Sequence, residues 1–571
     1  MNNAKYIQTI SLLMFALLFI GAPLYFKQNL GGSGLSLPIN IVLWEVATLF
    51  IVFALPISIV TNSVCFSRDF LLCLIFPVII IFAGLSSDIP QQLDWLFRQL
   101  YIWGGVLFLS ALFQVGLKKR QVEIILIFIV VSALIQSFIG VFQLIHFNPL
   151  GMWIPLNDHN IAQGMFQQPN VLATFLVTAL MIILYLISQP FFIHAHFTIK
   201  LLFIITFGLS LFVVLSTGSR IGLLSFILAI LVMIVSRRKL LVQHKQIMII
   251  LLLISIGAVT AAQIGINGQT GGLATTYKKV QKITEGHSIR QGLYTISGEL
   301  VTKKPIFGHG IGSFQQVWVK QSTQFIKTHP QATLPSQGIV THPHNELLLW
   351  AIEGGLVTVF SLLIVFFSIA YALYKNGFSK GGGYLALLLP ITLHMQVEMP
   401  FYHSALHWFL WLFLLYIIFK NKQKKVNITI SNTAKKLLSM AIIIFGFSGM
   451  AMLIHSAKAQ AEIASYSLGK GGNLKLAAND IYFANQAEKI IMMILYHSSK
   501  ENNDPQQMKR FIKWQKKAIQ LEPSSFSYIV LSDANQFIGS KQDQCSVLQE
   551  GLAIYKGNKN MLTRYNNYCT N

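Results

Sequence analysis

The sequence predicts an all-α polytopic membrane protein, with a large extracytoplasmic loop and a helical, tetratricopeptide-like C-terminal domain. Three observations carry the fold class. The 571-residue chain is 54% hydrophobic and only 11% charged, too apolar for a soluble protein of this size. Runs of roughly 17–25 apolar residues recur through about residue 455, each long enough to cross a bilayer as a helix. Those runs do not alternate apolar with polar residues, as the shorter strands of an outer-membrane barrel would.

Thirteen spans are expected, near residues 7–26, 39–60, 70–85, 100–116, 122–146, 169–188, 199–216, 221–236, 246–264, 346–374, 384–397, 405–420 and 437–456. The first, Ile7–Phe26, reads as a span because it is long and lacks the small-residue cleavage site of a signal peptide. The segments 221–236 and 384–397 are short, which admits tilting or a re-entrant path.

Lysine and arginine set the orientation. With the N-terminus inside, the inner loops hold Arg68, "KKR" at 118–120, "SRRK" at 236–239, Lys375, Lys380 and "KNKQKK" at 420–425. Lys5, Lys200, Lys245, Lys435 and Lys436 bring the inner count to eighteen, against Lys27, Arg98 and Arg220 outside. The formal net charge of +23 therefore reads as retention of basic loops in the cytoplasm. No basic, aromatic-interleaved module suggests nucleic acid.

An odd number of spans puts the C-terminus outside, in the periplasm of a Gram-negative cell. The expected organisation is transmembrane helices 1–9 over 1–264, a periplasmic loop over 265–345, helices 10–13 over 346–456, and a periplasmic helical tail over 457–571. The tail alternates helical stretches with breaks at "EPSS" and "GSK", a pattern similar to helical hairpin repeats, without a clean 34-residue period. It serves either as a solvated cap or as a docking surface. Cys545 and Cys569 lie in this tail, where an oxidising compartment would permit a disulfide.

Polar residues that interrupt the outer ends of the spans are the candidates for chemistry. In "THPHNELLLW" (341–350), His344 precedes the tenth span, Pro343 holds the backbone away from a helical path, and Asn345 is a fair cap. The positive helix end disfavours an imidazolium there, and a neutral imidazole can accept a proton. Three readings of His342 and His344 stay open: general base, interfacial anchor, or metal pair. The last lacks further ligands at a convincing spacing.

Arg220 in "LSTGSRIGLLSF" (215–226) interrupts two apolar runs. An arginine at membrane depth is costly and marks function, and its planar fork suits phosphate oxygens. The alternative is a snorkelling side chain among headgroups. Ser216, Thr217 and Ser219 add hydroxyl donors around it. Arg290 lies in the large loop, followed by a glycine-rich turn at 308–312 that is either an anion nest or a plain turn. "GMFQQPNVLA" (164–173) places Gln168 and Asn170 at the start of the sixth span, and "HMQVEMPFYHSALHW" (394–408) places Glu398 and Tyr402 between two spans. Glu398 needs a partner, either an arginine of the site or a structural ion pair. All of these are assigned to one extracytoplasmic face, so a shared pocket is expected.

Taken together, "TGSRIG", "KPIFGHGIGSF" and "HPHNELLLWAIEGGL" resemble the O-antigen ligase and polymerase superfamily. "FQQPNVLA" and "QVEMPFYHSALHW" look like its PglL-type branch, the bacterial protein O-oligosaccharyltransferases. The resemblance covers about residues 130–420. It implies an inner-membrane glycosyltransferase whose donor is an oligosaccharide on undecaprenyl pyrophosphate and whose acceptor is a serine or threonine of a periplasmic protein such as a type IV pilin. By the same resemblance His344 is the essential base, and Arg220 and Arg290 hold the pyrophosphate. Gln168, Asn170, Glu398, Tyr402 and His342 line the donor and acceptor side. No cofactor and no metal are implied. Proline between the two histidines departs from the family pattern and lets His342 point elsewhere.

Two alternatives remain. A lipid A–core ligase or O-antigen polymerase would use the same donor with a different acceptor. A polyprenyl-glycan transporter or flippase would place ionisable residues near the midplane, often within inverted repeats. Here the candidates sit at the outer edge and no repeat is visible.

Overall fold

The computed structural model describes residues 2–87, 92–148, 151–157, 159–265, 272, 274, 277, 281, 289–329 and 340–570. Much of the expected loop between 266 and 288, and all of 330–339, lies outside the described residues.

The first half is a succession of apolar helices. Helix α1 (Asn2–Ala16) continues through a π turn at Leu17–Gly21 into a 3-10 turn at Ala22–Leu24. Pro23 sits in that turn, and its missing N–H and ring disrupt a regular ladder. Then come α2 (Pro38–Val60), α3 (Arg68–Cys73), α4 (Ile75–Leu85), α5 (Gln92–Val115), α6 (Lys119–Leu144), α7 (Pro169–Ile187), α8 (Phe197–Ser216), α9 (Arg220–Leu241) and α10 (Lys245–Ile264). The loop region holds α11 (Ile289–Lys303) and α12 (Phe314–Thr328). It is followed by α13 (Glu346–Lys375), α14 (Phe378–His394), the single turn α15 (Pro400–His403), α16 (Ala405–Phe419) and α17 (Asn432–Ser467). The tail contains α18 (Lys475–Ala478), α19 (Ala484–Glu501), α20 (Pro505–Leu521), α21 (Ser525–Phe537), α22 (Lys541–Ile554) and α23 (Lys559–Cys569).

Among the described residues ten helical stretches are long and apolar enough to cross a membrane. One of them, Arg220–Ile264, runs 45 residues and takes in both α9 and α10 around a 3-10 turn at Val242–His244. Helices α14 and α16 have 17 and 15 residues, short of the ~20 that a bilayer core requires. Each of the thirteen expected segments thus lies in helix, though two are too short to span without local thinning or polar flanks.

Strand pairing was not expected. Ser63–Ser67 (β1) and Gln423–Asn427 (β2) form an antiparallel pair with Ser63 opposite Asn427 and Ser67 opposite Gln423. Both segments follow spans that end on the lysine-rich side. Pairing satisfies backbone groups that the short connections would otherwise leave open.

The chain divides into two compact units. The first comprises Met1–Ile75, Leu100–Gln281 and Leu363–Asn473. Its centre is α7, which packs against α6, α8, α9 and α14 and is buried from Val171 to Ile187. A helix apolar on all sides belongs in the middle of a bundle. A polar knot within it is Thr174, whose Oγ1 lies 2.9 Å from His394 Nδ1 and 3.4 Å from His407 Nε2. Both rings are fully buried; His407 also reaches the Ser404 hydroxyl through Nδ1 at 3.0 Å, while His394 Nε2 has no hydrogen-bond partner among the described residues.

The second unit comprises Phe76–Gln99, Lys282–Leu362 and Leu474–Asn571. Helices α19 to α23 pack each on the next, as in a helical hairpin stack. Their core includes Tyr496, Phe511, Tyr528, Leu531, Leu548 and Met561. Helix α20 shows why: Met508, Phe511, Ile512, Gln515 and Ile519 are buried at helical spacing, and charged residues take the other face. Pro505 opens the helix, and Asp504 accepts from the Gln506 and Gln507 N–H groups at 2.9 and 3.1 Å, the expected start signal. The stack touches the loop region where Gln316 Nε2 donates to the Gln520 carbonyl at 3.0 Å.

Cys545 and Cys569 form the disulfide that their position in the tail suggested, with Cα atoms 5.6 Å apart and a sequence separation of 24. It clamps α23 to α22. In the chain-entropy account a loop of that size is worth about 3 kcal/mol. Cys569→Ser should therefore raise hydrogen exchange throughout α22 and α23 of the full-length chain, while exchange in α7 stays as it was. Unchanged exchange in α23 would show that its packing alone holds it.

Candidate active site

In the first unit, the sequence motifs at 168–170 and 217–220 meet. Gln168 caps α7 by accepting from the Val171 N–H at 2.8 Å, after Gln167 takes a left-handed φ of 56°. Pro169 follows at the first helical position, where its missing N–H is not needed. Asn170 Oδ1 accepts from the Ser219 hydroxyl at 2.7 Å. Ser219 in turn caps α9 by accepting from the Gly222 N–H at 3.1 Å, and Arg220 is the first residue of that helix. The start of α7 thus fixes the start of α9, and with it the backbone of Arg220.

This geometry corrects one expectation. The hydroxyls near Arg220 are already committed. Ser216 donates to the Phe212 carbonyl at 2.9 Å, Thr217 to the Val214 carbonyl at 2.7 Å, and Ser219 to Asn170. They shape the turn and are not spare donors for an anion. Gln168 spends its oxygen on the cap, which leaves its amide as a donor.

Glu398 and Tyr402 sit in the same unit around α15. Asn40 pins this turn from α2: its Nδ2 donates to the Gly34 and His403 carbonyls at 2.9 and 3.1 Å, and its Oδ1 accepts from the Ala405 N–H at 2.9 Å. The Tyr101 hydroxyl adds a bond to the Phe401 carbonyl at 2.8 Å. Glu398 is buried, with a carboxylate oxygen within 4.8 Å of a His403 ring nitrogen. Nothing in the sequence reading singled out Asn40 or His403.

In the second unit, Asn345 caps α13, accepting from the Leu348 N–H at 2.9 Å. His344 has a left-handed φ of 52°. Non-glycine residues rarely hold that conformation, and where they do the surrounding structure compels it. The His344 N–H donates to His342 Nδ1 at 3.2 Å, and the two rings stand edge to face with centroids 4.5 Å apart. An Nδ1 that accepts carries no proton, so His342 is the Nε2–H tautomer. His342 therefore acts on the backbone of His344, which is how the proline between them turns it. Arg290 is half-buried at the start of α11.

The segment after α11 is fastened to a break in α13. Gly355 has a φ of 71° inside that helix, so the carbonyls and amides around it are free to bond elsewhere. Leu356 N–H donates to the Pro305 carbonyl at 2.7 Å, His309 N–H to Ile352 O at 2.8 Å, and Gly310 N–H to Glu353 O at 3.0 Å. A Cβ on Gly355 would fall 2.1 Å from the Ile306 carbonyl oxygen. Gly355→Ala should cost about 2–4 kcal/mol through overpacking and backbone strain. Limited proteolysis of the full-length protein should then cut near Lys304, and protection equal to the parent would contradict this account. The glycine-rich turn is thus a backbone clasp, with the His309 and Gly310 amides turned to α13. His309 Nε2 lies 2.9 Å from the Leu300 carbonyl. Burial lowers its pKa, against the pull of that bond, and Lys304 and Lys303 lower it further.

One pair in this unit escaped sequence reasoning. Arg98 was assigned to a loop but lies within α5, ion-paired with Glu353 and over the Trp350 ring at 5.9 Å. Glu353 Oε1 also accepts from the Phe314 N–H at 3.0 Å. Glu346, two turns earlier on the same helix face, is buried too, and its Oε1 has no hydrogen-bond partner among the described residues. The available signal was two opposite charges, each inside an apolar segment, where each needs the other.

Two known families match the chain. A family described as O-antigen ligase matches residues 205–363, a range that takes in Arg220, Arg290, His342 and His344. A second, described as the C-terminal part of a virulence factor membrane-bound polymerase, matches residues 384–567, which takes in Glu398, Tyr402 and most of the tail. No curated protein matches the chain. The chain is an integral membrane member of the O-antigen ligase/PglL superfamily, glycosyltransferase-like ligases and polymerases that pass a lipid-linked glycan to an acceptor.

Proposed function

We propose that the protein transfers an oligosaccharide from undecaprenyl pyrophosphate to a serine or threonine hydroxyl of an extracytoplasmic protein, such as a type IV pilin. The observation that carries the reading is His344. It is held in a left-handed conformation directly before a capped helix, and its neighbour His342 is spent on fixing its backbone. A ring so placed, on a backbone held from both sides, can be aimed at an acceptor hydroxyl, as a general base requires.

The steps balance without a metal. The acceptor oxygen attacks the anomeric carbon, its proton passes to His344, and the bond from that carbon to the diphosphate oxygen breaks. Undecaprenyl diphosphate departs as an anion, held by Arg220 and Arg290, whose fixed charge stabilises it as it forms. Displacement in line predicts inversion at the sugar carbon. Gln168, Asn170, Glu398 and Tyr402 serve the donor and acceptor side. The disulfide in the tail and the lysine-poor outer loops support a periplasmic active site in the inner membrane.

The ligase and the polymerase described for the two family matches favour one other reading, in which the acceptor is lipid A–core or itself a glycan. Purified protein with lipid-linked glycan and either pilin or lipid A–core separates the two. Glycosylated pilin is the expected product. Extension of lipid A–core with pilin left bare would overturn the assignment.

A further inference from the structure

A cleft of 510 Å³ lies at the end of α4, lined by Leu85, Ser86 and Ser87 and by Lys304 to Gly308. It plays no part in the reaction described above. We propose that it holds the phosphodiester headgroup of a bilayer glycerophospholipid, with the acyl chains lying along its apolar rim.

The polar contribution is small and well defined. Ser87 spends its proton on the Ala83 carbonyl at 2.8 Å. The side-chain donors left to the cleft are the Lys304 ammonium and the Ser86 hydroxyl, both on exposed residues. One cation and one hydroxyl match the single negative charge of a phosphodiester. A diphosphate would leave charge unbalanced, which is why the occupant is a bilayer lipid and not the glycan donor.

The apolar contribution surrounds it. Leu85 is 71% exposed and Ile306 60%, and Phe82, Phe307 and Leu356 are exposed as well. Leu85 and Phe82 end the apolar stretch Arg68–Leu85 at the pole opposite Arg68, and Leu356 belongs to the stretch Glu346–Lys375. Large apolar side chains on spanning helices face lipid, and a lysine among them at a span's end meets headgroups. The wall is rigid, because Pro305 and Ile306 are bonded to α13 at the Leu356 and Val357 N–H groups. A Cβ on Gly308 would meet the Glu353 carbonyl oxygen at 2.5 Å, so that side cannot relax outward. The site is therefore built before any lipid arrives.

Native mass spectrometry of the full-length protein tests this. Protein exchanged into detergent with added phosphatidylglycerol should retain one phospholipid per chain. Lys304→Glu should weaken that retention about tenfold, as removal and reversal of one interfacial charge predict. Lys304→Gln should have a smaller effect in the same direction, and covers the case in which the reversal disturbs folding. Lys559→Glu, on the tail, should leave retention unchanged. Equal retention by the parent and both Lys304 variants would overturn the proposal. So would displacement of phosphatidylglycerol by undecaprenyl phosphate at equal concentration, since the cleft would then belong to the donor.

Discussion

His344→Ala should lower glycan transfer about 10²–10⁴-fold, the range a positioned general base contributes, with the change confined to turnover. Binding of the lipid-linked donor should stay within about threefold of the parent, because a base that acts only on the acceptor proton adds little to the ground-state complex. His344→Asn is the more informative variant. Asparagine tolerates the left-handed conformation better than most residues, so it keeps the backbone of a position whose φ is 52° while removing the proton acceptor. Two of the three roles open for this histidine, anchor and base, then separate. An anchor would survive the change to asparagine, whereas a base would not. Transfer by His344→Asn within tenfold of the parent would remove the histidine from the chemistry. His342→Ala should fall between, since its Nδ1 supports the His344 N–H.

Much of the architecture was legible because the bilayer imposes it. Backbone groups in hydrocarbon must pair within a helix, so each long apolar run had one structural solution, and α7 from Val171 to Ile187 shows it in plain form. The Asn345 cap was legible too, because it precedes an apolar run and accepts from the Leu348 N–H of the first turn, whereas the caps made by Gln168 and Ser219 were not read as caps. What stayed hidden were pairings that depend on three dimensions. The hydroxyls around Arg220 looked like donors in the sequence, but Asn170, 49 residues away, claims Ser219. The turn at 308–312 read as either an anion nest or a plain turn, and the carbonyls of Ile352 and Glu353, on a distant helix, take the amides of His309 and Gly310. Arg98 and Glu353, separated by 255 positions, could be matched only by asking where each buried charge finds its opposite.

That last pair sets the second large effect. Glu353 is 1% exposed and has three duties at once. Its Oε2 meets Arg98, its Oε1 accepts from the Phe314 N–H, and its backbone carbonyl accepts from the Gly310 N–H. Glu353→Ala leaves the first two unfilled, an arginine that cannot shed its charge and a buried N–H with no acceptor. Breaking one partner out of a buried ion pair costs about 3–5 kcal/mol, and the orphaned N–H belongs in the same sum. Glu353→Gln should cost less, because an amide oxygen can still accept from Phe314 while only the charge is lost. Heat inactivation of the purified protein reads the order: parent, then Gln, then Ala, with Ala inactivating fastest. Hydrogen exchange across 305–314 should rise in the same order, since that segment hangs on Glu353 from both sides. Arg98→Met combined with Glu353→Gln should recover part of the loss, as a neutral pair no longer strands a charge in an apolar place. An alanine variant that resists heat as well as the parent would mean that the clasp between this segment and α13 stands on the backbone bonds around Gly355 alone.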